Sequence, residues 1–187
     1  MAQGYRQTTL TNFERCDLQN DSRRYLYELM SFQPDRFDML GFGPSGISYT
    51  EHTVRSTALK TMNPESAAEY LQAVQQGGMV WNRYYEFASG DLRLLHATRQ
   101  LSALRIDRRR YQEARGSDVC NDYAQEVETL GRAGLLDVTS AAVSLTTRGM
   151  FYADSVAAIL AHRQLGRGRD ALSSQRVSAN DNSGGHM

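Results

Sequence analysis

The chain has 187 residues, 41% apolar and 22% charged, a size and balance that suit one soluble globular domain with or without a small subdomain. Twenty-one basic residues offset twenty-one acidic ones, so net charge supplies no nucleic-acid partner. The apolar runs are too short for a bilayer span and no leader-like segment opens the chain, so no membrane partner is expected; two separated cysteines, Cys16 and Cys120, make no disulfide framework and point to a cytoplasmic setting.

Residues 4–16 are rich in Thr, Tyr and Phe and predict a strand. A short helical turn is expected near Tyr25 to Met30, and Pro34-Asp35 marks a turn before an apolar segment from Phe37. His52 to Thr61 reads as a polar connection. Asn63-Pro64-Glu65 predicts a helix start, with Asn63 as cap and Pro64 in the first turn; Gly77-Gly78 predicts its end. Val80 to Glu86 reads as an extended link. A helix carrying Leu92, Leu95, His96 and Arg99 follows Ser89-Gly90-Asp91. Asp107 to Arg115 reads as a charged amphipathic turn. Ser117-Asp118 caps a further helix, on which Val119, Tyr123, Val127 and Leu130 share one face. Leu135 to Val138 and Ala142 to Leu145 form a hairpin, and Thr146 or Thr147 caps a last helix reaching about residue 165. Residues 166–187 lack periodicity and predict a disordered tail.

The most informative stretch is Asp38-Met-Leu-Gly-Phe-Gly-Pro-Ser-Gly-Ile-Ser-Tyr49. Glycines at 41, 43 and 46 remove Cβ atoms, so backbone can lie against a ligand or against other backbone. The spacing is that of a dinucleotide fingerprint, but Ile47 to Thr50 continues as strand where that motif opens a helix. Trp81, Tyr84, Tyr85 and Phe87 form an aromatic cluster, expected to cover a joint between two halves of the chain. His52, His96 and His162 are scattered without metal-ligand spacing, and no serine sits in a nucleophile elbow.

The glycine-rich segment resembles one late in the catalytic domain of oxygen-independent coproporphyrinogen III oxidases and haem chaperones, members of the radical S-adenosylmethionine (SAM) superfamily. Gly4-Tyr5 and Thr11-Asn-Phe-Glu-Arg15 resemble the family's "GY…(H/N)FAR" strand, and Arg24-Tyr-Leu-Tyr27 resembles "RHN(L/F)xY". Gly134-Leu-Leu-Asp-Val138, Val143-Ser-Leu-Thr146 and Thr147-Arg-Gly149 resemble the C-terminal signature "GL(L/V)…(V/L)xLTxxGR". The likeness runs from residue 4 to 162.

The resemblance implies an α+β chain. Residues 1–55 would be the last strands of a radical SAM partial barrel, and 56–165 a mainly helical, winged-helix-like C-terminal domain with a small hairpin. It implies a second-site SAM near Ile47, Leu26 and Tyr27, with Gly43 and Gly46 letting backbone approach it, and a small-molecule substrate; an oxidase acting on a tetrapyrrole and a methyltransferase, cyclopropanase or haem-degrading relative are equally compatible. Two features depart from the family: Asn12 and Glu14 replace the His and Ala of "HFAR", and the family's polar residue at the position of Tyr27 is not reproduced. The CxxxCxxC loop that holds an iron–sulfur cluster has no counterpart, since Cys16 and Cys120 lie about a hundred positions apart. The expected function is therefore the C-terminal, ligand-enclosing part of a radical SAM enzyme, with the cluster on a partner chain.

The alternatives are an inactive remnant and a winged-helix-like binding module. In the latter, Arg105, Arg108, Arg109 and Arg110 would be the phosphate contacts. The expected recognition helix carries Asp122, Glu126 and Glu128, which phosphate would repel.

Overall fold

A computed structural model describes residues 4–18 and 25–162. The architecture is α+β, with three small sheets in which every pairing is antiparallel. The first strand region is a hairpin of β1 (Tyr5–Gln7) and β2 (Phe13–Arg15). Its loop is held by Thr9, which is buried and whose hydroxyl accepts the Asn12 and Thr11 N–H groups at 3.1 and 3.4 Å. Leu10 N–H donates to the Ser102 carbonyl at 2.9 Å, so the loop docks on the end of a helix far along the chain.

Helix α1 (Tyr27–Ser31) fulfils the short turn expected there. The glycine-rich segment leads into β3 (Ile47–His52), confirming strand rather than helix after Gly46. β3 pairs with β4 (Thr57–Met62), and β4 with β5 (Arg83–Phe87), giving the order β3-β4-β5. Two readings are corrected here. Much of the connection expected from His52 to Thr61 is the central strand of this sheet, and the expected extended link is its edge. Thr57, Lys60 and Thr61 made β4 look like a loop; its strand state comes from ladders on both sides, which no local pattern encodes. The turn Thr53–Ser56 holds the boundary expected at 55/56, and six paired residues on each side join the two segments.

Helix α2 (Ala67–Gln75) starts three residues later than expected. Ser66 is its cap, accepting the Glu69 N–H at 3.4 Å. Asn63 is occupied elsewhere: its buried amide donates to the Gly41 and Gly43 carbonyls at 3.2 and 2.9 Å. The helix stops before Gly77, which has φ +65°, as the glycine pair predicts.

Helix α3 (Ser89–Ser102) leads into β6 (Arg105–Asp107), a strand not anticipated. The charged stretch after it is a full helix, α4 (Arg108–Arg115), capped by the Asp107 carboxylate on Arg110 N–H at 3.0 Å and ended by Gly116 at φ +77°. The single helix expected next is two, α5 (Val119–Asp122) and α6 (Ala124–Arg132), capped at Asp118 as read. The break follows Asp122, whose carboxylate accepts from Ser117 Oγ at 2.7 and 2.8 Å and from the Tyr111 hydroxyl at 2.9 Å. The helical face still holds: Val119, Tyr123, Val127 and Leu130 are all buried.

The expected hairpin is β7 (Leu136–Val138) and β8 (Ala142–Leu145), with β6 added on the far side of β8. Helix α7 (Thr147–Phe151) follows, and residues 153–162 are helical again after a turn at Tyr152. The C-terminal signature has a packing explanation. Thr146 Oγ1 accepts the Gly149 N–H at 2.9 Å and donates to the Gly134 carbonyl at 2.7 Å. A Cβ at Gly149 would collide with the Leu135 carbonyl. The motif's two ends are thus one contact.

The main core lies in this C-terminal part. Leu101, Ile106, Tyr111, Leu130, Val143, Val156 and Leu160 pack into a single cluster. A second, smaller cluster of Tyr49, Ala58 and Leu92, with Met39, Phe87 and Leu95 against it, ties the β3-β4-β5 sheet to α3. The expected disordered tail, 166–187, lies outside the described residues.

Candidate functional site

Between the glycine-rich segment, α1, the sheet and α3 lies a cleft of about 750 Å³. That is within the range of small-molecule sites, roughly 300–1,000 Å³. Its walls include Tyr27 and Met30 from α1, Leu40 to Phe42 and Gly46-Ile47 from the segment, Lys60 from β4, and Leu95 and Arg99 from α3. Three of the residues singled out from the sequence therefore meet at one place: Tyr27, Gly46 and Ile47. Leu26 is the half-exposed residue before α1, and Gly43 is the turn above; neither lines the cleft.

The glycines have distinct jobs. Gly43 has φ +84°, a left-handed turn, and nothing stands where its Cβ would be. At Gly46 a Cβ would lie 2.8 Å from the Asn63 amide nitrogen and 2.9 Å from the Gly41 carbonyl carbon, and at Gly41 it would collide with the Ile47 backbone. Gly41 and Gly46 thus let two strands of the same segment touch. Asn63 locks the turn through its amide and by donating its own N–H to the Gly46 carbonyl at 2.9 Å. This leaves Leu40, Phe42 and Ile47 exposed around the cleft, Phe42 by 84%.

Beneath the cleft runs a charged network that the sequence did not disclose. Arg110 makes a two-pronged pair with Asp35, at 2.6 and 2.9 Å, and Arg115 does the same with Glu51, at 2.5 and 3.0 Å. Tyr49, whose ring lines the cleft, donates its hydroxyl to Glu51 at 3.1 Å. Burial, with the adjacent Glu51 carboxylate, pushes the Tyr49 phenol above its ordinary range. His96 is wholly buried between the two arginines. Arg115 Nε donates to its Nδ1 at 3.0 Å, and its Nε2 lies 2.7 Å from the Gln100 amide nitrogen and 3.8 Å from Asp35. Burial first, then Arg115 and Arg110, pull His96 down to about 4, with Asp35 pulling the other way. For Asp35 itself, burial favours protonation, but the Arg110 hydrogen bond, with His96 and the Arg110 charge, outweighs it and holds the carboxyl below its ordinary value. These groups tie α3, α4 and β3 together beside the cleft.

Two of the four arginines considered as phosphate contacts are committed internally. Arg110 is on Asp35, and Arg108 binds Asp118 at 2.8 to 3.2 Å and the Thr139 carbonyl at 2.7 Å. The aromatic cluster also divides: Phe87 packs edge-on against Tyr49 and Tyr85, while Tyr84 and Tyr85 stay more than half exposed along β5. Phe87 thus belongs to the cluster that ties the sheet to α3, while Tyr84 and Tyr85 lie along the sheet edge.

The thiols do not fit an iron–sulfur cluster. Cys16 is exposed after β2 and Cys120 half-buried in α5, its thiol pushed up by burial. Among the described residues, no three His, Cys, Asp or Glu side chains group as metal ligands. No helix among them is long and apolar enough to cross a membrane.

The fold has a counterpart in a solved structure. The chain is similar in fold to coproporphyrinogen III oxidase (HemN) from Escherichia coli, a radical SAM enzyme. The TM-score is 0.59, over 84% of this chain and 37% of that one, at 17% sequence identity. The likeness at that identity is one of fold, and this chain spans little more than a third of the enzyme's length. No family model matches the chain, and no curated protein matches it in sequence.

Proposed function

We propose that this chain is the C-terminal, ligand-enclosing portion of a radical SAM enzyme of the coproporphyrinogen oxidase type. The observation that carries the reading is the convergence of Tyr27, Gly46 and Ile47 on one preformed cleft, in a chain whose fold resembles HemN. In this reading a small molecule, SAM at a second site or the substrate, lies against Ile47 and Tyr27. The iron–sulfur cluster belongs to a separate chain that pairs with the exposed rim around Phe42.

The donor set of this chain supports that division, because two distant thiols cannot hold a cluster. Exposed apolar residues on the first hairpin, Tyr5 and Phe13, and in the glycine-rich segment, Leu40 and Phe42, suit a surface that another chain covers. The test is co-expression with a CxxxCxxC-bearing partner, anaerobic reconstitution, and a SAM-cleavage assay. Cleavage that rises when this chain is present, and falls when Phe42→Asp disrupts the rim, supports the reading. A partner equally active with and without the chain, and no complex between them, sinks it.

A further inference from the structure

We infer that the cleft selects ligands joining an apolar body to an acid group, and that Lys60 and Arg99 are the pair that binds the acid. This rests on the cleft being the ligand site.

Arg108, Arg110 and Arg115 each close on a carboxylate. Lys60 and Arg99 line the cleft, are half-buried, and have side chains that bond to no described residue. Lys60 is the only lysine of the chain and stands in the central strand, in register with Tyr49 on one side and Tyr85 on the other, so ladders on both sides position it. Arg99 follows Leu95 by one helical turn, which sets both on the face of α3 that borders the cleft. Asp38 is the one carboxylate among the lining residues, and it accepts the Glu51 backbone N–H at 3.1 Å. Two uncommitted cations against one engaged carboxylate leave the cleft net positive. Met30, Phe37, Leu40, Ile47 and Leu95 supply apolar walls beside the pair, and partial burial strengthens attraction for an anion there. A neutral apolar ligand would leave both cations desolvated without partners, so an acid-bearing one is preferred. The acid could be the methionyl carboxylate of SAM or a carboxylate of the substrate.

A matched pair of fluorescent probes tests this on the full chain: anilinonaphthalenesulfonate, and phenylnaphthylamine, which has the same aryl body without the acid. The sulfonate is expected to bind more tightly. Lys60→Met and Arg99→Met should each weaken it about five- to tenfold while changing the neutral probe less than about twofold. The thermal midpoint should stay put, because neither side chain has a partner to lose. Lys60→Arg should restore binding, and Arg105→Gln, outside the cleft, should change nothing. Competition separates the two sources of acid. If SAM displaces the sulfonate and methylthioadenosine does not, the acid is the methionyl one; if neither displaces it, SAM is excluded as its source. Equal binding of the two probes, or unchanged sulfonate binding in both variants, overturns the acid preference and leaves the cleft standing. Failure of both probes to bind removes the cleft as a ligand site as well.

Discussion

Arg115 grips Glu51 through both guanidinium nitrogens, joining α4 to β3 across 64 positions of sequence, with side chains only 4% and 8% exposed. The pair couples the C-terminal core to the strand beneath the cleft. Breaking a buried pair strands the other charge, so Arg115→Met is expected to cost about 3–5 kcal/mol of unfolding free energy. Arg115→Met with Glu51→Leu should cost far less, because no charge is left alone. Urea denaturation of the three variants checks this; a double variant as unstable as the single one would remove the pair from the account.

Acid should loosen the same network, with the sign set by both titrating groups. His96 is held neutral in the fold, near 4 against an ordinary 6.5. The unfolded chain therefore takes up a proton first, and stability falls as pH drops from 6.5 towards 4, by about 3 kcal/mol. Asp35 is held below its ordinary 3.8, so its contribution is present above that value and is lost as pH falls through the folded one. Thermal midpoints from pH 7 to 4 should decline, and His96→Gln should flatten the decline above pH 4.5. A profile in His96→Gln identical to that of the parent chain contradicts the assignment.

Gly46 and Ile47 are neighbours with opposite expected behaviour. Gly46→Val pushes a branched side chain into the Asn63 amide and the Gly41 carbonyl, and should cost about 2–4 kcal/mol. Ile47 is 40% exposed at the cleft, so Ile47→Ala should cost less than about 1 kcal/mol while weakening ligand binding in the assembled enzyme. Chemical denaturation paired with ligand titration separates the two; an Ile47→Ala variant with full affinity speaks against contact there.

The turn between the β7–β8 hairpin and α7 is equally testable. Gly149→Ala places a methyl group on the Leu135 carbonyl and is expected to cost at least about 2 kcal/mol. Thr146→Val removes the cap on Gly149 and the bond to Gly134, for a loss of about 1–2 kcal/mol. Hydrogen exchange at β7 and β8 should accelerate in both. Protection unchanged from the parent would mean that the motif is not the clasp described.

Reconstitution of the chain alone with iron and sulfide should leave no visible cluster absorbance, because Cys16 and Cys120 sit on separate elements. A stoichiometric cluster on the isolated monomer would overturn the proposal that another chain carries it.

Wherever the information was local, the sequence by itself determined the outcome. The apolar face from Val119 to Leu130, the cap at Asp118, the stop at Gly77 and the hairpin after Leu135 all follow from side-chain spacing and turn chemistry within one or two turns of chain. The convergence of Tyr27 and Ile47 was foreshadowed only by resemblance. Tertiary structure alone decided the rest. β4 and β5 are paired strands because ladders on neighbouring segments satisfy their backbone, although Thr57 and Lys60 read as a polar connection and Tyr84 as an unpaired extended link. Asn63 gave up its cap because two carbonyls of a distant turn needed its amide more. Arg110, Arg115 and His96 found Asp35 and Glu51 from far along the chain, and buried charge can be kept only where such partners meet. Long-range pairing of this kind has no period in the sequence, so only the folded chain reveals it.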